Sequence, residues 1–187
     1  MPSLTRQVQN ELSKFLSEGS IAIDATAGNG HDTAFLAEQT GDCGHVYAFD
    51  IQHQAIENTR NRLQELKLEQ HVTLIKDSHE YLQTHIPANY QGQISVVMFN
   101  LGYLPGSDKH CVTSTESTLK ALNQAISQLK PGGALSIMLY PGHEGGQEET
   151  NAVLNWGRNL LSPWKTRHII TAGPQWLLVT CSESVFS

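Results

Sequence analysis

The chain has 187 residues, 39% hydrophobic and 16% charged, enough for one domain with a sizeable core and too few for two ordinary ones. Twelve basic against eighteen acidic residues give a formal net charge of −6, which excludes polyanion binding through bulk positive charge, so a nucleic-acid substrate would need a local patch. No apolar run approaches the roughly 18 residues of a membrane span, the N-terminus lacks a signal-peptide core, and Cys43, Cys111 and Cys181 fit neither a disulfide framework nor a thiolate zinc site, so a cytoplasmic protein without membrane contact is expected.

The predicted elements run as follows. Leu4, Val8, Leu12, Phe15 and Leu16 recur at helical spacing, giving an N-terminal covering helix over residues 1–19 that Gly19 would end. Strands are predicted at Ile21 to Ala25, His45 to Asp50, His71 to Lys76 and Ile94 to Phe99. Between them lie helices from about His31, from about Gln54 to Leu66, and near Glu80. Thr113 with Glu116 reads as a capping box for a helix whose stripe is Leu119, Leu122, Ile126 and Leu129, stopped by Lys130 to Gly133. Ala134 to Tyr140 is a fifth strand and Glu148 to Leu161 a helix. Lys165 to Thr171 and Gln175 to Cys181 form an antiparallel hairpin. The alternation predicts one α/β domain over 1–187, with five parallel strands, a terminal hairpin and helices on both faces. That is the topology of a Rossmann-like class I methyltransferase with a seven-stranded, mostly parallel sheet.

The densest chemical signal is Asp24 to Thr33 (DATAGNGHDT), a strand running through a turn into a helix. Gly28 and Gly30 allow a ligand to lie against the backbone, and the helix start offers free N–H groups. Thr33 stands where a dinucleotide fingerprint wants its third glycine, which disfavours a nicotinamide oxidoreductase. Asp24, Asn29 and Asp32 around the turn suit a ligand carrying an ammonium or sulfonium group. Asp50 ends the second strand, where a carboxylate accepts from ribose hydroxyls or caps the next helix, and Gln52 follows it. Asp77, Ser78 and His79 end the third strand, either near an adenine edge or as an ordinary cap. Asn100 leaves the fourth strand, where its amide oxygen could accept from a substrate amine. Tyr103 beside it could stack on a base or belong to the core. His143 and Glu144 follow the fifth strand on the same edge, at a substrate mouth or in a solvated loop. No second pair has ligand spacing, so a metal is not expected. Lys109, Arg158, Lys165 and Arg167 are candidates for phosphate contact, though scattered basic residues usually mark plain surface.

Taken together, DATAGNGHDT at 24–33, AFDIQ at 48–52, DSHE at 77–80, FNLGYLP at 99–105 with Asp108 and Lys109, and YPGHEGG at 140–146 resemble a bacterial family long labelled rRNA methylases. Its members are understood as transfer-RNA wobble-uridine methyltransferases. The resemblance runs from about Gly19 to Leu161. It implies S-adenosylmethionine as donor and methylation of the primary amine of 5-aminomethyl-2-thiouridine in the anticodon stem-loop. It puts Asn29, His31 and Asp32 near the methionine part of the donor, Asp50 and Gln52 at the ribose, and Ser78 and His79 at the adenosine. Asn100 and Tyr103 fall at the methyl-transfer edge, and Asp108, Lys109, His143 and Glu144 toward the nucleoside substrate. The chain departs from the family at Thr171 to Gln175, where an Asn-rich loop and paired prolines are usual, and in an N-terminal helix that lacks a histidine. No general base is assigned. A small-molecule amine or rRNA methyltransferase of the same fold and a non-catalytic donor-binding subunit are the alternatives, and a homodimer would pool basic residues along one RNA.

Overall fold

The computed structural model describes residues 3–102, 114–142 and 145–182. Seven strands, β1 (Ile21–Asp24), β2 (His45–Phe49), β3 (Val72–Ile75), β4 (Ile94–Leu101), β5 (Leu129–Leu139), β6 (Trp164–Ile170) and β7 (Gln175–Cys181), form one sheet in the order β3-β2-β1-β4-β5-β7-β6. The first five are parallel, β7 runs antiparallel to β5, and β6 pairs antiparallel with β7, as the alternation and the terminal hairpin predict. Strand order reverses between β1 and β4. The connections that leave the carboxyl ends of these two strands therefore go opposite ways and open a crevice, the place where open α/β sheets bind ligands.

Helices α1 (Leu4–Leu12), α2 (His31–Thr40), α3 (His53–Leu66), α4 (Leu82–His85), α5 (Thr115–Gln128) and α6 (Gly146–Arg158) connect the strands. Alternation within each strand divides the core. Ile23, Phe49, Val97, Phe99, Leu135 and Ile137 pack under α4, α5 and α6, with Leu82, Leu122 and Val153 as partners. Ala22, Val46, Val96, Met98 and Trp176 face α1 and α2 through Val8, Leu12 and Leu36. The N-terminal helix thus covers a face of the sheet. Arg167 fastens it by reaching Glu11 at 3.2 Å while its guanidinium lies 5.3 Å from the centre of the Trp176 ring.

Three of the boundaries that differ from the sequence expectation have a clear physical reason. The first helix stops at Leu12, continues as one tight turn to Phe15, and gives way to extended Leu16, so Gly19 belongs to a separate turn whose N–H donates to Thr40 O. The cap of α5 is Ser114, whose hydroxyl accepts from Ser117 N–H at 3.1 Å; Thr113 lies outside the described residues. Leu129 to Gly133, read as the end of that helix and its stop, instead opens β5. There Leu129 pairs with Ile94 before the register shifts to Ala134 opposite Val96. A β-carbon on Gly133 would lie 2.9 Å from Lys130 O and 3.0 Å from Ile94 O, so this bulged entry requires glycine.

Candidate functional site: the carboxyl edge of the parallel strands

The turn after β1 is built from its own backbone and from side chains on three neighbours. Ala25 N–H donates to Met98 O and Ala27 N–H to Phe49 O, which continue the pairing of β1 past its end on both sides. Gly30 N–H then donates to Ala27 O and closes the turn. Gly28 and Gly30 both have positive φ, 55° and 76°, and Gly30 caps α2. Helix α3 clamps the outer side. Thr59 Oγ1 donates to Gly28 O at 3.2 Å, Arg62 Nε to Asn29 O at 2.7 Å and Asn58 Nδ2 to Asn29 Oδ1 at 2.9 Å. Arg62 also reaches His31 Nε2 at 3.1 Å.

Asp50 secures the turn from β2. One carboxylate oxygen accepts from Gly28 N–H and the other from Gln52 N–H, both at 2.9 Å. Gln52 itself stands at the cap of α3 with no side-chain cap bond, and Asp50, two residues earlier, ties the glycine turn to the start of α3. Beside it Ile51 leaves an apolar side chain 46% exposed on the crevice edge.

Asp24 is turned inward. It is 1% exposed, accepting from Thr33 Oγ1 at 2.6 Å and from Thr26 N–H at 3.1 Å. Burial, reinforced by the charge of Asp32, pushes its carboxyl up to about 7 from an ordinary 3.8, against the bonds from Thr33 and Thr26. A carboxyl whose native affinity for a proton exceeds its unfolded one stabilises the fold below the unfolded value and ceases to do so as pH rises through the native value. Thermal stability should therefore decline from about pH 4.5 to about pH 7.5 by a contribution of about 1 kcal/mol per unit. Asp24→Asn, which can still accept from Thr33, should flatten that slope. Parallel melting curves across this window that fall equally in both proteins would show that Asp24 is not the source.

The third strand contributes a half-polar wall. Ser78 Oγ accepts from Glu80 N–H at 3.3 Å as a cap, and Asp77 pairs with His85 at 2.8 Å. His79 is buried and lies edge-on to Phe99. Its Nδ1 faces Ala25 O at 3.2 Å, so the proton sits on Nδ1, and burial holds its pKa below the usual value. The buried Nε2 is left as an acceptor with no hydrogen-bond partner among the described residues.

From β4, Asn100 N–H donates to Thr26 Oγ1 at 2.7 Å and the side-chain amide donates to Asp32 Oδ2 at 3.3 Å. The same amide bonds the Tyr140 hydroxyl, whose pKa is raised mainly by burial. Asp24, Gly28, Asn29, Gly30, His31, Asp32, Asp50, Gln52, Ser78, His79 and Asn100 therefore share one sheet edge. Tyr103, Asp108, Lys109, His143 and Glu144 lie outside the described residues. Thr26, Thr33, Asn58, Thr59, Arg62 and Tyr140 were missed by sequence reasoning. Of these only Tyr140, last before the glycine-rich block and so at a strand's carboxyl end, carried a readable signal. Arg167 is occupied by Glu11 and Trp176, and Lys165 begins β6 at the opposite sheet edge, so neither is placed for phosphate at this crevice.

An order-reversed parallel sheet with an antiparallel hairpin at its end, and a glycine turn with acidic side chains at the reversal, is the class I methyltransferase fold. Residues 46–172 match the family described as "Putative rRNA methylase", and the chain belongs to that family. It is 40% identical over 158 residues to the chloroplastic tRNA (mnm(5)s(2)U34)-methyltransferase of Arabidopsis thaliana; this covers 80% of the chain and 57% of that longer protein. A solved "putative rRNA-methylase" from Clostridium thermocellum superposes with a TM-score of 0.91 at 35% identity, covering 97% of this chain and 98% of that one. A "putative methyltransferase" from Streptococcus mutans, solved in complex with SAH, does so at 0.84 and 33%, covering 97% and 99%.

Proposed function

We propose that the chain is an S-adenosylmethionine-dependent N-methyltransferase acting on transfer RNA. In this reading it converts 5-aminomethyl-2-thiouridine at the wobble position into 5-methylaminomethyl-2-thiouridine. The observation that carries the reading is the Asn100 amide held against Asp32 at the lip of the Gly28 to Gly30 turn, because this sets an amine-accepting group beside a donor cradle. Likeness to the chloroplast wobble-uridine enzyme supplies the substrate.

The residues present fit the donor. The turn backbone opened by Gly28 and Gly30 suits the donor's carboxylate, the apolar flank of Ile51 suits a base, and the unpartnered Nε2 of His79 suits an exocyclic amine. Asn29, His31 and the turn backbone would hold the methionine end with Asp32 beside it, Asp50 and Gln52 the ribose, Ser78 and His79 the adenosine. When bound, the donor supplies a methyl group already activated on sulfur. The protein's own work is then to hold the amine in line and unprotonated, with the Asn100 oxygen accepting one N–H so that the lone pair points away from the amide. Tyr103, Asp108, Lys109, His143 and Glu144 are proposed for the nucleoside side. The Thr171 to Pro174 turn joins β6 to β7 at this same sheet edge, within reach of an anticodon stem-loop lying across it. Cytoplasmic action as a homodimer belongs to the same reading; no described helix is long and apolar enough to cross a membrane.

Transfer RNA bearing the unmethylated aminomethyl nucleoside, incubated with the protein and donor and then digested, should gain one methyl on that nucleoside by mass. The charge of −6 favours a rival, methylation of a small free amine. Turnover on a panel of small amines with none on the RNA would establish that rival. A narrower expectation concerns Asp50. Asp50→Ala frees the N–H groups of Gly28 and Gln52, and should cost about 1–3 kcal/mol of stability and at least about tenfold in donor affinity. Unchanged affinity by calorimetry with a lowered melting temperature would confine Asp50 to shaping the turn.

A further inference from the structure

We propose that Asp32 is the base that takes the proton from the substrate's ammonium group, and that Tyr140 is the positioning residue that keeps Asn100 turned to serve it. The inference rests on the amine-methylation reading above and adds a proton acceptor to it.

Three side chains from three elements meet through one amide. Asp32 comes from the first turn of α2, Asn100 from the end of β4, and Tyr140 from the residue after β5. The amide nitrogen of Asn100 donates to Asp32 Oδ2, which leaves the amide oxygen to face an incoming amine, and the same side chain bonds the Tyr140 hydroxyl. The Tyr140 ring is itself fixed. A β-carbon on Gly102 would lie 3.3 Å from Tyr140 Cδ2, which sets one side of the ring against the backbone just past β4. An amine resting on the Asn100 oxygen lies across the amide from the Asp32 carboxylate, so its proton reaches Asp32 through one bridging water.

Asp32 differs from its neighbours in having a carboxylate that is available. Asp24 has both oxygens engaged inside the turn, and Asp50 has both on backbone N–H groups. Asp32 is half-buried and, among the described residues, accepts one long bond from Asn100. The charged and titratable groups around it are Asp24 at the end of β1, His31 on its own helix with Arg62 of α3 behind it, and the Tyr140 phenol. Burial raises its proton affinity, opposed by Asn100 and His31, which is the direction required of a carboxylate that must accept from an alkylammonium.

The step balances. One N–H bond of the substrate ammonium breaks as an O–H bond forms on Asp32, leaving a neutral primary amine. Its lone pair forms the N–C bond while the C–S bond of the methylsulfonium breaks and that electron pair leaves on sulfur. The product departs as a secondary ammonium, and Asp32 returns its proton to water.

Asp32→Asn and Tyr140→Phe are compared with wild type on the aminomethyl transfer RNA, by single-turnover rate from about pH 6 to about pH 10 and by calorimetric donor affinity. Asp32→Asn should bind the donor within about threefold of wild type yet lose about 100-fold or more in rate near neutral pH, recovering as pH rises and the amine deprotonates in solution. Tyr140→Phe, which keeps the ring on Gly102, should lower kcat by about tenfold with KM for the RNA unchanged. In wild type, the sequentially assigned Asp32 carboxyl resonance should titrate above the ordinary aspartate range in carbon NMR, a readout that needs neither turnover nor a folded variant. A tenfold loss of donor affinity with saturated turnover retained would make Asp32 a donor ligand and overturn the proposal, as would an ordinary or lowered titration. Wild-type inactivity on that RNA removes the substrate reading and this inference with it, whereas wild-type activity matched by Asp32→Asn removes this inference alone.

Discussion

Asn100→Ala should lose at least about 100-fold in methyl transfer to the aminomethyl nucleoside while its affinity for the donor stays within about threefold. The asymmetry follows from what the side chain touches. Asn100 is exposed, and its amide reaches Asp32 and Tyr140, whereas the donor cradle is held by Asp24, Asp50, Thr59 and Arg62 through bonds that do not pass through Asn100. The strand end is secured by the backbone, since Asn100 N–H donates to Thr26 Oγ1 whatever the side chain. Removing the amide therefore removes orientation of the amine and little else, and orientation is what an already activated donor leaves for the protein to supply. Asn100→Asp is the sharper control. It keeps the shape but sets a second carboxylate against Asp32, so both cannot ionise freely and turnover should fall at least as far. Single-turnover transfer measured beside calorimetry decides the matter; near-normal turnover in Asn100→Ala would take this residue out of the chemistry.

The sheet was legible because parallel strands buried on both faces are short apolar runs, and β1, β2 and β4 are mostly that. Knowing that they were parallel located the crevice, and with it Asp50 and Asn100, before any coordinate. Orientation was not legible. An aspartate that ends a strand can face the crevice or the interior, and only the hydroxyl of Thr33 and the N–H of Thr26 decide that Asp24 faces inward. Long-range partners were equally hidden. Arg62 and Thr59 sit on the half-buried and buried sides of an ordinary amphipathic helix, and nothing in their spacing says that they grip a turn some thirty residues away. The Lys130 to Gly133 run was read as a helix stop because Pro and Gly usually break helices. Here the break coincides with the entry of β5, where pairing with Ile94 extends the strand back to Leu129.

Gly30→Ala should be the most damaging single substitution in the donor turn. Two penalties coincide at this position. Its φ of +76° lies in the left-handed region, where a side chain costs about 1–2 kcal/mol, and the added β-carbon would stand 2.8 Å from the Thr59 Cα, a backbone atom that cannot rotate away. Relieving the clash means moving α3 off the turn, which stretches the Thr59 and Arg62 bonds to Gly28 and Asn29, an overpacking cost of about 1–3 kcal/mol. The sum, about 2–5 kcal/mol, should lower the melting temperature by about 5–15 °C and weaken donor binding by at least about tenfold. Gly92 separates the two penalties. Its φ is +71° and a β-carbon there would meet nothing within 4 Å, so Gly92→Ala carries the backbone strain without the clash. Gly92→Ala should cost about 1 kcal/mol and leave donor affinity untouched. Equal losses of stability in the two variants would mean that the turn and α3 are free to separate, and the rigid clamp inferred from Thr59, Asn58 and Arg62 would be wrong.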